Sequence, residues 1–209
     1  SKARVLIVGV GGLGSPIALY LAGAGVGTIG LVDDDVVSES NLQRQVLYTE
    51  DEIGLSKALQ AQKRLQALNH DIRINAYPTR LTKENAASLI ANYDIVVDGC
   101  DNFTTRYIIN DACAHWGRPY VYGAILAFEG QVSVFNYQGG PDYRTLYPDE
   151  EEMLAMPAPF KGVLGVTPGV IGCMEANEVM KIIGGYGEVL SGKLWQIDLR
   201  TMESYTIML

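Results

Sequence analysis

The chain has 209 residues, 48% hydrophobic and 19% charged, with a formal net charge of -8. That length suits one large domain burying roughly 70% of its unfolded surface. The acidic balance argues against nonspecific nucleic-acid binding and adhesion to anionic membranes, but leaves room for a nucleotide held by a few local cations.

Residues 4–8, Arg-Val-Leu-Ile-Val, read as a buried parallel strand. Gly9, Gly11 and Gly14 follow at the G-x-G-x-x-G spacing, with Gly12 between them, and an apolar helix is expected over residues 13–24. Glycines there let backbone approach a ligand, and free N–H groups at a helix start favour phosphate. A second strand is expected over residues 28–32, ended by Asp33 about 20 residues on, where a carboxylate can hold ribose hydroxyls. The alternative is a tight turn that binds nothing.

A polar loop from Asp34 carries Asn41, Arg44 and Gln45, and Ser56 is the expected N-cap of an amphipathic helix to residue 68 with Leu59, Leu65 and Leu68 on one side. Lys57 then falls on that helix's first turn, against the dipole, which calls for an anionic partner. Strands are expected over 72–77, 94–100 and 119–124, and helices over 83–92 and from about Asp101 to Trp116. Residues 131–137 are expected to pair antiparallel, because too few residues intervene for a crossover helix. Residues 139–165, with four prolines and the acidic run 149–152, read as a long irregular loop. A helix over 168–183 and two closing strands, 193–198 and 204–208, complete an α/β fold. It is a Rossmann-like, mainly parallel sheet with helices on both faces and appended antiparallel strands, in one domain over residues 1–209.

Ligands of such sheets bind beyond the carboxyl ends of the strands. The glycine turn, Asp33 and Asp101 therefore meet over one crevice, with Arg44 and Lys57 able to fold back over it. Two cations, a glycine turn and a carboxylate suited to Mg²⁺ fit a triphosphate better than a nicotinamide dinucleotide. Each residue keeps a plainer alternative: Asp101 as a helix cap, Arg44 and Lys57 as solvated charges, Arg106 as an intra-helix ion-pair partner. An NAD-dependent oxidoreductase rests on the glycines and Asp33 alone, and a non-catalytic nucleotide-binding protein is a third possibility. The cysteines Cys100, Cys113 and Cys173 are scattered in apolar company, as structural thiols of a reducing compartment. No signal peptide opens the chain and no apolar run reaches membrane-spanning length, so a cytoplasmic protein is expected.

Gly9-x-Gly11-Gly12-x-Gly14, Asp33-x-Asp35 to Ser40-Asn41-Leu42-Gln43-Arg44-Gln45, Gly54-x-x-Lys57 and Asp101-Asn102-x-x-x-Arg106 stand in that order. The set resembles the ThiF/MoeB/HesA family, bacterial relatives of ubiquitin-activating enzymes, over essentially the whole chain. The wording of residues 19–28 and the run Asp33-Asp34-Asp35 look closer to ThiF than to MoeB. The resemblance implies ATP-dependent adenylation of the C-terminal Gly-Gly carboxylate of a small ubiquitin-fold sulfur carrier, ThiS-like and serving thiamine biosynthesis, or MoaD-like and serving molybdopterin. It further implies Gly9, Gly11, Gly12 and Gly14 against the nucleotide, Asp33 on the ribose, and Asn41, Arg44 and Lys57 on the phosphates. Asp101 would organise Mg²⁺ with Asn102 beside it, residues 139–165 would form a mobile crossover loop over the carrier's tail, and the protein would be a homodimer.

Two departures from the family accompany this. Where a first zinc-binding Cys-x-x-Cys pair stands in family members, residues 142–145 read Asp-Tyr-Arg-Thr, and the chain ends before a second, so no zinc is expected. Residues 155–161 lack the cysteine that forms a persulfide in some ThiF proteins. The family's N-terminal segment, which supplies an arginine to the partner subunit's site, is expected to be missing too.

Overall fold

The computed structural model describes residues 2–156 and 162–209. Eight strands, β1 (Arg4–Val8), β2 (Thr28–Val32), β3 (Arg73–Tyr77), β4 (Ile95–Asp98), β5 (Tyr120–Leu126), β6 (Glu129–Phe135), β7 (Lys193–Asp198) and β8 (Glu203–Met208), form one sheet. Its order is β3-β2-β1-β4-β5-β6-β7-β8. Pairing is parallel from β3 to β5 and antiparallel from β5 to β8. After β1 the chain adds β2 and β3 on one side and returns with β4 on the other, so the crevice opens between β1 and β4.

The strands at the centre are apolar on both sides because both faces are covered. Val5, Ile7, Ile29, Leu31 and Val97 pack under α1 (Gly14–Gly23), α2 (Lys57–Leu68) and α7 (Val166–Gly184). Leu6, Val8, Val96, Tyr120 and Tyr122 pack under α3 (Lys83–Ile90), α4 (Phe103–Trp116) and a short α5 (Tyr143–Leu146). The hairpin between β5 and β6 turns at Ala127, a non-glycine residue at φ 54°. Among the described residues, no helix is long and apolar enough to cross a membrane.

Three expectations need correction. On α2 the buried residues are Lys57, Ala58, Ala61 and Leu65, while Leu59 and Leu68 are exposed. The buried stripe runs through these four positions and leaves Leu59 and Leu68 on the water side of the helix. Ser56 is the N-cap residue of α2, as expected, but its side chain makes no capping bond, and its buried hydroxyl has no partner among the described residues. Residues 139–165 are not uniformly irregular: α5 and α6 (Glu150–Ala155) lie within them, capped by Asp142 and Asp149. Tyr143 is fully buried with its ring against Tyr107, Tyr122 and Phe135. Truncating a buried aromatic of this size costs about 3–5 kcal/mol, so the start of the segment is anchored in the core. Residues 157–161 of the expected crossover loop lie outside the described residues.

Candidate nucleotide site

The glycine turn after β1 is the hub of the site. Gly9 has φ +88°, and a Cβ on it would lie 2.6 Å from the Gly99 carbonyl oxygen. The Gly9 carbonyl in turn occupies the space a Cβ would need on Gly14 or Gly99. These three glycines let the β1–α1 and β4–α4 turns pack backbone to backbone. Gly11 and Gly12 face elsewhere. A Cβ on Gly11 would stand 3.4 Å from Gln45 Nε2, and one on Gly12 would meet Pro168 Cβ at 3.1 Å and Arg44 Cδ at 3.6 Å.

Asp33, at the end of β2, locks the same turn. Its Oδ2 accepts the Val10 N–H at 2.7 Å and its Oδ1 the Asp35 N–H at 2.9 Å. Burial raises its carboxyl above the usual range, against the two N–H groups and Lys57. Each oxygen retains a lone pair for a ribose hydroxyl. Tyr48 fastens the other side: its hydroxyl donates to the Val10 carbonyl at 2.7 Å and lies 3.3 Å from the Lys57 carbonyl oxygen. Lys57 is buried at the start of α2, and its Nζ pairs with Asp35 Oδ2 at 3.0 Å. This is the anionic partner its place on the helix demanded.

Arg44 is half-buried and donates from Nη1 to the Ser40 carbonyl at 3.0 Å. Asn41 closes the short turn before it, its Oδ1 accepting the Ser38 N–H at 3.3 Å. The helix-cap alternative for Asp101 is overturned. Asn102 caps α4, its Oδ1 accepting the Thr105 N–H at 2.9 Å, and Asp101 stays exposed without a hydrogen-bond or ion-pair partner among the described residues. The structure thus gathers Gly11, Gly12, Asp33, Arg44 and Lys57 around one turn. Asp101 stands two residues beyond Gly99, which touches that turn. Three of these groups suit an anionic, oxygen-rich ligand: two cations and helix-start backbone.

The sequence matches the ThiF family across residues 1–209. The chain belongs to the ThiF family. It is 50% identical over 203 residues to the sulfur carrier protein adenylyltransferase of Thermus thermophilus, covering 94% of this chain and 75% of that protein. It is 48% identical over 203 residues to the probable molybdopterin-synthase adenylyltransferase of Porphyra purpurea, covering 96% of this chain but 53% of that protein. The chain therefore spans about half to three quarters of the length of these relatives. Among solved structures, E. coli MccB with ATP superposes with a TM-score of 0.82 at 26% identity, over 99% of this chain and 63% of MccB.

Further parts of this ThiF-family site escape a reading of motifs. Arg106 is not an intra-helix partner. It is buried, and its Nε meets Asp98 Oδ2 on β4 at 3.0 Å while its Nη2 donates to the carbonyls of Cys100 (3.3 Å) and Gly123 (3.2 Å). Asp98 also accepts the Tyr120 hydroxyl at 2.9 Å and the Cys100 N–H at 2.9 Å. An aspartate closing the apolar run 95–97 was the available sequence signal for it. Gln45 stood inside a quoted motif without a role; it is buried against Gly11, its Oε1 without a partner among the described residues. Nothing in the sequence marked Tyr48. The Cys100 thiol is pushed up by burial and then by Asp98.

Proposed function

We propose that this chain adenylates the C-terminal Gly-Gly carboxylate of a small ubiquitin-fold sulfur carrier. The observation that carries this reading is Arg44, Lys57 and Asp33 gathered at one glycine turn, with Asp101 exposed two residues beyond Gly99, which touches it. ATP lies along that turn, its ribose on Asp33 and its phosphates toward Arg44, Lys57, Asn41 and the N–H groups of Gly11 and Gly12. The incoming carboxylate attacks the α-phosphorus, the bond to the bridging oxygen of the β-phosphate breaks, and pyrophosphate leaves with that electron pair. The acyl-adenylate stays behind.

Both reactants are anionic, so the protein's contribution is position and positive charge rather than covalent chemistry. Arg44 and Lys57 neutralise the attacked and departing phosphates. Lys57 must exchange Asp35 for phosphate, which costs little because Asp35 is largely solvated. Asp101 fits Mg²⁺ on its own chemistry: an exposed hard oxygen donor with no competing partner among the described residues, joined by phosphate oxygens. Bound there, Mg²⁺ would shield phosphate charge.

The Thermus and Porphyra names support a sulfur carrier as the acyl donor. A ThiS-like carrier is favoured by the residue 19–28 wording, and a MoaD-like carrier by the Porphyra relative's name. The protein works as a homodimer in this proposal, supported by Val36, Val46, Ile53 and Leu55, exposed apolar side chains in the segment carrying Arg44. ATP–pyrophosphate exchange, measured with ThiS-like and MoaD-like carriers and with neither, tests the function. Exchange that needs one carrier is the expected result; none with either carrier overturns it. Sedimentation at micromolar concentration tests the dimer.

A further inference from the structure

Glu175, on α7, faces straight into the sheet with nothing to hold. It is 0% exposed, and neither carboxyl oxygen has a hydrogen-bond partner among the described residues. It lies directly beneath Gly123 on β5, where any Cβ would overlap its carboxyl. Across that strand sits Arg106, which donates to the Gly123 carbonyl and is stacked over Tyr122 and Phe103 at 5.3 and 5.9 Å from their ring centres.

The ladder between β4 and β5 stops at Val97 and Val121. Arg106 fills the gap beyond it, tying Cys100 to Gly123 and resting on Asp98. One guanidinium therefore faces two carboxyls. Asp98 already takes it, together with the Tyr120 hydroxyl and the Cys100 N–H. An ionised carboxylate left in this enclosure without a donor costs several kcal/mol. Burial foremost, then Asp98, pushes the Glu175 carboxyl well above its usual range, opposed by Arg106.

We infer that Glu175 is a proton-carrying positioning residue: as the neutral acid it leaves the Arg106 guanidinium to Asp98, and so holds the turn that presents Asp101. Losing its proton would make Glu175 a second claimant on Arg106. The guanidinium would shift toward α7, slackening its hold on Asp98 and Cys100, one residue before Asp101. The consequence for catalysis rests on the adenylation proposed above; the proton and the movement of the turn do not.

Three measurements on the whole chain and its Glu175→Gln variant test this. The first is thermal stability against pH. The unfolded carboxyl ionises near its ordinary value of 4.5, while the folded one keeps its proton. Wild type should then lose stability relative to the variant as pH rises, by about tenfold in the folding equilibrium per pH unit until Glu175 itself ionises. A gap that does not change between pH 5 and 8 overturns the inference. The second is the amide resonance of Cys100, whose N–H reports on Asp98. It should titrate together with Glu175 as pH rises in wild type and not in the variant; identical behaviour removes the positioning role.

The third is the pH profile of ATP–pyrophosphate exchange. Wild type should lose kcat as pH rises through the ionisation of Glu175, with little change in the KM for ATP, and Glu175→Gln should lack that loss. Matching profiles refute a catalytic consequence. If wild type shows no exchange at any pH, adenylation itself fails, and the first two measurements still decide whether Glu175 holds its proton and the turn.

Discussion

Lys57 Nζ lies 3.0 Å from Asp35 Oδ2, the lysine side chain 6% exposed and the aspartate 64%. A buried cation is neutralised here by a group that water can reclaim. Asp35→Asn should therefore lower the melting temperature without nucleotide, because buried Lys57 loses its ion-pair partner. Excess ATP should then raise it by more than in wild type, since binding restores the missing charge. Equal shifts by calorimetry would show that phosphate does not replace Asp35.

Asp101→Ala and Arg44→Ala should each slow pyrophosphate exchange by about 10²–10³, the usual loss of one preorganised electrostatic contact. Their melting temperatures should stay near wild type, because neither side chain belongs to the core. Asn102→Ala should do the opposite. It removes the cap of α4, at about 1 kcal/mol, and touches the rate less. Near-normal exchange by Asp101→Ala or Arg44→Ala would refute the site.

The glycines of the turn separate in the same way. Gly9→Ala places a methyl against the Gly99 carbonyl at φ +88° and should destabilise the fold by about 1–3 kcal/mol or more. Gly11→Ala makes only an ordinary contact with Gln45, so it should fold normally. Its methyl then stands over the phosphate-facing backbone and should raise the KM for ATP severalfold. Chemical denaturation and exchange kinetics on both variants check this split.

The reaction should stop at the acyl-adenylate as far as these cysteines are concerned. A thiolate nucleophile must be exposed and near positive charge. Burial pushes the thiols of Cys100 and Cys113 up, and it does the same to the less enclosed Cys173. A Cys→Ser triple variant should still form adenylate with ATP and carrier. A reducible covalent adduct accumulating on the wild type would contradict this.

Much of this molecule is legible in its sequence. The strands around Ile7, Leu31 and Val97 betrayed themselves by continuous apolar runs, because burial on both faces leaves no room for alternation. The turn chemistry at Gly9 to Gly14 and the strand-ending Asp33 followed from spacing. What escaped depended on contacts distant in sequence. Which cation pairs with which anion is set by tertiary geometry, so Arg106 went unmatched to Asp98 and Lys57 had no named partner. Leu59 and Leu68 misled because the buried stripe of α2 runs through Lys57, Ala58, Ala61 and Leu65 and leaves them facing water. Tyr143 lay hidden in a proline-rich stretch whose short helices are too brief to show a period.

The glycine turn near the start of the chain is roofed by residues from its far end: Gly12 abuts Pro168, and Gly165 packs on the Gln43 carbonyl. During synthesis, β1, α1 and the Arg44 loop leave the ribosome long before α7 exists. Leu13 and Pro16 wait uncovered until Gly172 arrives against them. The crevice therefore takes its final shape only when α7 docks. On the function proposed above, nucleotide bound once α7 has docked draws that last folding step forward by mass action.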